Sequence, residues 1–371
     1  MSDTGRSSDI RHAAALPERV RLVVLFGGQS AEHDISCISA SNIVRALDVD
    51  RYEIEPIGID RDGRWHRAES AAALLGGPAS GFPDALSIDG PVTTCEQAVL
   101  DAESTDAPTV VFPVLHGPHG EDGTVQGLLE LLDVPFVGSG VLGSAVCMDK
   151  VMAKTVLDAA GIPQARWRSL HRDESGTSDA LADILGELGE TVFVKPANMG
   201  SSIGITRATG LDELAAAVDV ALRFDDLLVI EEALSVRELE TAVLGSTSRP
   251  RVSVVGEIVP AAEFYDFDDK YTDGAARTVI PADLSDELSR DARDLALRTF
   301  TTLRAEGLAR VDLFLAEGRG LLVNEVNTLP GFTPISMYPM LWAASGLPYG
   351  ELLDELVALA LERHATRARL R

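Results

Sequence analysis

The chain has 371 residues, 46% of them apolar, 24% charged and only 5% aromatic, with a mean hydropathy of +0.10; this describes a folded globular protein long enough for two or three domains and excludes disorder for most of it. Its formal charge of −26, from 58 acidic against 32 basic residues, excludes a nucleic-acid partner held through phosphates, and a phosphate-bearing ligand would need lysines gathered at one place or a mediating metal. No stretch reaches the ~18 to 20 uninterrupted apolar residues of a membrane span, the polar start has no apolar signal core, and Cys37, Cys95 and Cys147 form neither a disulfide framework nor a metal knuckle, so a cytoplasmic protein without membrane contact is expected.

Taken in chain order, Arg21–Phe26 is a continuous apolar run ending in Gly27-Gly28, the pattern of a buried parallel strand and a tight turn, with a helix over Ser36–Leu47. The pattern repeats at Thr109–Leu115, the loop His116–Gly123 and a helix over Thr124–Leu132. Strand, glycine-bearing loop and helix, twice over, predict a doubly wound parallel-sheet α/β domain whose ligand lies at the carboxyl ends of the strands. Glu69–Gly90 reads as a surface loop or insertion. Beyond Gly138 a helix is expected over Asp149–Ala160, with strands over Thr191–Lys195, Ile203–Arg207 and Leu227–Glu232. Leu211, Leu214, Val218 and Leu222 fall at helical spacing, so this part is α+β. A strand over Pro250–Val259, an irregular stretch Phe264–Arg277, a helix Asp286–Ala305, two strands and a helix Gly350–Arg363 follow. The expected division is a tail at 1–18, an N-terminal α/β domain at 19–138, a central part at 139–231 and a C-terminal part at 232–371.

The two late strands carry chemistry. Ala309, Val311, Leu313 and Leu315 share one face, leaving Arg310 and Asp312 on the other. With Glu317–Gly320 as a four-residue loop, Ala316 faces Leu321, Asp312 faces Glu325 and Arg310 faces Asn327. Opposed carboxylates repel, so something positive belongs between them. Asp312, Glu325 and Asn327 are hard oxygen donors of the kind Mg²⁺ takes together with substrate phosphates. The plainer alternative is a solvated polar face with Arg310 neutralising Asp312. The loop Asn327-Thr328-Leu329-Pro330-Gly331 favours the metal, because it marks a backbone shaped for a purpose.

Val192–Pro196 is a strand ending at Lys195, and the loop beyond it, Asn198–Gly204, offers glycine N–H groups and the hydroxyls of Ser201 and Ser202 to an anion. Neither this loop nor Gly27-Gly28-Gln29-Ser30 fits the Walker or dinucleotide spacing. In so acidic a chain Lys150, Lys195 and Lys270, each at an element end, are candidates for one clustered site.

Six motifs in order resemble the D-alanine-D-alanine ligases, which have the ATP-grasp fold: Phe26–Ser36, His116–Gly123, Met148-Asp149-Lys150, Lys195-Pro196 leading to Gly200–Gly204, Phe264–Tyr271 and Glu325–Gly331. The resemblance runs from about Val20 to Leu361. It implies a cytoplasmic enzyme of peptidoglycan precursor synthesis, and a homodimer, that uses ATP to activate one D-alanine as an acyl phosphate for attack by the amine of a second. It places ATP against Lys150, Lys195, Ser201, Ser202, Glu231, Glu232, Leu234, Glu238, Phe264 and Lys270. Asp312, Glu325 and Asn327 would hold two Mg²⁺ ions, with Mn²⁺ as a substitute. Arg310 and the Gly331 N–H would stabilise the oxyanion. Glu32 would take the first ammonium in a set with Ser201 and Tyr271, His116 would lie near the first substrate, and Ser336 and Met337 would receive the second carboxylate. The stretch Phe264–Arg277 would close over the site. The alternative within the fold is another ATP-grasp carboxylate-amine ligase, joining D-alanine to D-serine or D-lactate; the Tyr271 pattern favours D-alanine. A nicotinamide dehydrogenase would need Gly-x-Gly-x-x-Gly after the first strand, which is missing, and a non-catalytic nucleotide sensor would be expected to lose the metal ligands.

Overall fold

The computed structural model describes residues 16–75, 82–100, 107–174, 178–200, 203–260, 276–333 and 335–370. The first sheet is built from β1 (Val20–Gly27), β2 (Tyr52–Ile59), β3 (Trp65–Arg67), β4 (Val92–Thr93) and β5 (Thr109–Val114), in the order β4-β3-β2-β1-β5. β1 runs parallel to β2 and to β5. Its unbroken apolar run has a physical reason, since alternate side chains enter different cores. Leu22, Val24 and Phe26 pack with Ala40 and Ile43 of the helix His33–Ala46, while Val23 and Leu25 pack with Val125 and Leu129 of the helix Thr124–Leu131. Helices therefore cover both faces, as expected of a doubly wound sheet.

The segment Glu69–Gly90 departs from its reading as a surface loop. Glu69–Ala73 is a short helix and Leu86 is buried. A Cβ at Gly58 would stand 2.8 Å from the side chain of Ile88; the segment is pressed onto the sheet where only a glycine lets it approach.

The second sheet contains β6 (Trp167–His171), β7 (Thr191–Pro196), β8 (Thr206–Thr209) and β9 (Leu227–Glu232), all antiparallel, in the order β6-β9-β7-β8. β8 begins three residues later than expected because Gly204, at φ +73°, turns the chain before Thr206 pairs with Val194. The third sheet is also antiparallel: β10 (Val236–Ser246), β11 (Arg249–Pro260), β12 (Ala276–Val279), β13 (Gly307–Ala316) and β14 (Gly320–Asn327), in the order β12-β11-β10-β13-β14. β10, at its centre, is absent from the sequence reading, although Leu239, Thr241 and Val243 are buried and alternate with Glu238 and Glu240.

The C-terminal helix, Tyr349–Ala368, is longer than expected and buries Leu352, Leu353, Leu356 and Val357 in the same core as Leu22, Val24 and Phe26 of β1. Phe332 and Tyr338 belong to that core too. The chain that follows β14 is thereby packed against the N-terminal sheet, which brings the Asn327–Gly331 loop beside the His116–Gly123 loop.

Candidate active site

The β13–β14 hairpin pairs Asp312 with Glu325 and Arg310 with Asn327, as expected, but by a different route. The turn is tighter, with Ala316 opposite Gly320, and a bulge then shifts the register by one residue between Leu313↔Val323 and Asp312↔Glu325. Asn324 is the extra residue. Arg310 donates from Nε and Nη2 to the two oxygens of Asp312 at 2.7 Å each, and its Nε lies 3.1 Å from Glu240 Oε2. Asn327 Nδ2 donates to Asp312 Oδ2 at 3.1 Å. Burial would favour loss of the Arg310 proton, but Asp312, Glu240 and Glu325 hold its pKa well above the ordinary value. One guanidinium thus faces three carboxylates, and the surplus of negative charge is what a divalent cation would neutralise. No group of three Asp, Glu, His or Cys side chains among the described residues makes a metal site by itself. Asp312, Glu325 and the amide of Asn327 fit a cation that draws the rest of its oxygens from a substrate.

The whole chain has four lysines, at 150, 154, 195 and 270, and the three that are described surround one place. Lys195 ends β7, with Nζ 2.5 Å from Glu231 Oε2 and 3.5 Å from Oδ1 of the bulged Asn324. Lys154 pairs with the other oxygen, Glu231 Oε1, and all three side chains are nearly sealed from solvent. Burial alone would raise the Glu231 pKa, but the Lys154 and Lys195 ammoniums hold it down to about 2. Lys195 also feels Glu325 and Glu238. Lys150 opens the helix Lys150–Ala159, which Asp149 caps by accepting from Met152 N at 2.9 Å, and its Nζ donates to Met199 O at 2.5 Å. Lys154 was missed at the sequence level. The available signal was its place one helical turn beyond Lys150, on the same face.

Glu232 is committed to structure: it accepts from Arg166 N and Nε at 2.7 Å each and from Arg319 Nη1 at 2.5 Å. Leu234 lies between β9 and β10, and Glu238 is half-buried on β10 opposite Phe314. Ser201, Ser202, Phe264, Lys270 and Tyr271 lie outside the described residues.

On the N-terminal side, a cleft of about 240 Å³ is lined by Ser30, Glu32, His119, Met199, Gly200 and Ile203, so it joins the loop after β1 to the loop after β7. A Cβ at Gly117 would come within 2.8 Å of Glu32 Oε2, and one at Gly200 within 3.0 Å. The Glu32 carboxylate therefore sits in a cradle that glycines keep open. Ser30 fixes the turn, accepting from Glu32 N at 3.2 Å and donating to His116 O at 2.7 Å.

His116 is buried with both ring nitrogens engaged. Nδ1 lies 2.9 Å from Leu329 O, and Nε2 lies 3.3 Å from Ser39 Oγ. A carbonyl only accepts, so Nδ1 carries the proton. Burial lowers the pKa of the ring, outweighing the pull of Glu32, which keeps the imidazole neutral. Glu121, in a recognised motif but given no role from sequence, accepts from Gly117 N at 2.9 Å and from Leu329 N at 3.0 Å. Its carboxyl is pushed up to about 8 by burial and by Glu32. Ser336 Oγ sits 2.8 Å from Thr333 Oγ1, next to Gly331, where a Cβ would stand 2.9 Å from it. Met337 begins the helix Met337–Ala344, so Ser336 and Met337 present a helix N-terminus, which suits a carboxylate.

The comparisons with known proteins span nearly the whole chain. A family model described as D-ala D-ala ligase N-terminus matches residues 21–139, and one described as D-ala D-ala ligase C-terminus matches residues 156–358. A Chromobacterium violaceum protein named D-alanine--D-alanine ligase A is 45% identical over 354 residues, 93% of this chain and 96% of that one. Among solved structures, the D-alanine-D-alanine ligase from Coxiella burnetii superposes with a TM-score of 0.79 at 38% identity, covering 95% of this chain and 97% of that one. The VanG D-Ala:D-Ser ligase from Enterococcus faecalis gives a TM-score of 0.78 at 33% identity, covering 92% and 99%. A lysine-lined strand end, an acidic hairpin and a glycine-cradled glutamate, arranged on this fold and matched over this length, mean that the chain belongs to the D-alanine-D-alanine ligase family.

Proposed function

We propose that the protein joins two D-alanine molecules at the expense of ATP, through an acyl phosphate. The observation that carries this reading is the meeting of three unlike groups around one space: lysines for phosphate, surplus carboxylates for a cation, and Glu32 for an ammonium. Lys150 and Lys195 hold the phosphates with the Gly200–Gly204 loop, including Ser201 and Ser202, and Lys270 joins them. Both oxygens of Glu231 are taken by lysines, so its part is to set the Lys195 ammonium. The backbone at Glu232 and Leu234 holds adenine, Glu238 the ribose and Phe264 the adenine face. Asp312, Glu325 and Asn327 would hold two Mg²⁺ or Mn²⁺ ions, which would supply charge neutralisation at the γ-phosphate.

Glu32 binds the ammonium of the first D-alanine and works in a set with Ser201 and Tyr271. The carboxylate of that first D-alanine is then free to attack the γ-phosphorus, forming the acyl phosphate and releasing ADP. The second D-alanine docks its carboxylate at Ser336 and Met337, and its amine attacks the acyl carbon. Arg310 and the Gly331 N–H stabilise the oxyanion before phosphate leaves. His116, buried beneath the cleft, acts on the first substrate only through what it holds. The three-part division at 19–138, 139–231 and 232–371, with a tail at 1–18, a homodimer and a cytoplasmic role in peptidoglycan precursor synthesis complete the proposal. No helix among the described residues is long and apolar enough to cross a membrane.

The likeness to a D-Ala:D-Ser ligase keeps D-serine as a second reading for the second substrate. The test is ADP release with D-alanine alone, then with D-serine or D-lactate added, and the product weighed by mass spectrometry. D-alanyl-D-alanine as the main product is expected; ADP release that ignores D-alanine overturns the reading.

A further inference from the structure

The short segment after β14 is held in an unusual way. Leu329 gives its N–H to Glu121 at 3.0 Å, and its carbonyl accepts from His116 Nδ1 at 2.9 Å. Three residues on, Phe332 gives its N–H to Ser39 Oγ at 3.3 Å, and its carbonyl accepts from the Tyr349 hydroxyl at 2.8 Å. Both backbone polar groups of both residues are therefore gripped by side chains from elsewhere in the chain. Pro330 has no N–H to offer. Between them lies Gly331, whose N–H has no acceptor among the described residues. The grips are themselves joined: Ser39 Oγ contacts His116 Nε2 at 3.3 Å, and Glu121 ties its second oxygen to Gly117 N at 2.9 Å, on the loop that cradles Glu32.

The clamp answers burial first: Leu329 and Phe332 are sealed from water, so their backbone groups need partners within the protein, and here those partners are side chains anchored elsewhere in the fold. Its effect is to fix one peptide N–H in space while leaving it uncommitted, the requirement for a donor aimed at charge that develops only during reaction. We propose that Glu121, together with His116, Ser39 and Tyr349, is a positioning residue that holds the Gly331 N–H at the reacting carbon and ties it to the Glu32 cradle. This rests on the ligase reading, in which Gly331 serves the oxyanion formed when the second amine attacks the acyl phosphate.

The consequence is specific to that step. Phosphate transfer to the first D-alanine does not use the Gly331 N–H, whereas amine attack does. Loosening the clamp should slow dipeptide formation and leave more acyl phosphate to water, which returns D-alanine and inorganic phosphate. Glu121→Gln keeps the size but offers one acceptor oxygen in place of two, so one of its two backbone partners is lost. The measurement is ADP released per dipeptide formed, with KM for ATP and thermal unfolding alongside. Dipeptide kcat should fall by about 10- to 100-fold, the range for small misplacements in an active site. ADP per dipeptide should rise severalfold, with KM for ATP within twofold of the parent. Tyr349→Phe, on the opposite side of Gly331, should show the same rise in a smaller measure, and it carries the test if Glu121→Gln does not fold. An unchanged ADP-to-dipeptide ratio in the folded variants overturns the proposal, whether kcat falls or not. Failure of the ligase reading is separate, since the parent protein would then make no dipeptide.

Discussion

Two buried charge clusters lie on facing sheets, and they are unbalanced in opposite directions. On the second sheet, Glu231 sits between Lys154 and Lys195, one carboxylate for two ammoniums. On the third, Arg310 faces Asp312, Glu240 and Glu325. Glu325 belongs to both, because it acts on Lys195 as well as on Arg310. Each cluster alone is poorly neutralised, and burial makes that costly. The pair makes sense when a molecule with its own two signs of charge enters between them: phosphate oxygens on the lysine side, a divalent cation on the carboxylate side. A net charge of −26 is therefore no obstacle to ATP, because the average over the surface says little about a cleft where three of the four lysines meet.

The comparison can be broken most sharply at Glu325, which the two clusters share. Glu325→Ala should lower ADP release by about 10²–10³-fold, the cost of removing one preorganised electrostatic group, with an unchanged far-UV CD spectrum. Retained phosphate release in the presence of D-alanine would sink its role as a metal ligand.

The lysine side should show itself mainly in stability. Lys154→Met leaves Glu231 with a single ammonium and should cost about 3 kcal/mol by urea unfolding, as for other broken buried pairs. The same variant has a pH signature. The folded pKa of Glu231 is held down to about 2 from an ordinary 4.5, so its contribution is complete above about pH 4.5 and is lost as the pH falls through about 2. Removing Lys154 raises that folded pKa, and acid unfolding followed by CD should begin at a higher pH than in the parent. Coincident acid transitions would mean that Lys154 does not hold this carboxylate.

The smallest effect is expected at the bulge. Asn324 meets Lys195 at 3.5 Å, the limit of a hydrogen bond, and Asn324→Ala should change KM for ATP by only about twofold. A tenfold change would make the bulge a builder of the site and not merely a correction of register.

Much of the fold was legible because its signals are local. The β1 run, the glycines after it, the period of the Lys150–Ala159 helix and the alternating faces of β13 all follow from neighbours in sequence. β10 carries the same alternation, with Leu239, Thr241 and Val243 buried and Glu238 and Glu240 on the other face, and was overlooked although the signal is local. Glu69–Gly90 was misread because its small and polar composition gave no hint that Leu86 and Ile88 would be pressed onto the sheet. The hairpin is the instructive case. A four-residue loop and an unbroken ladder predict the same facing pairs as a tighter turn followed by a bulge, so the functional register survived although the route to it differed.

The sequence by itself determined which residue types the site would contain and which strand ends and loops would bear them, because periodicity and glycine placement act over a few residues. Only the tertiary structure decided how those side chains are used. It gave Glu231 to two lysines, turned His116 and Glu121 inward onto Leu329, and left the Gly331 N–H uncommitted among the described residues. Partners such as Glu121 and Leu329 stand 208 positions apart; their meeting depends on how the C-terminal helix packs against β1, and no local pattern encodes that choice.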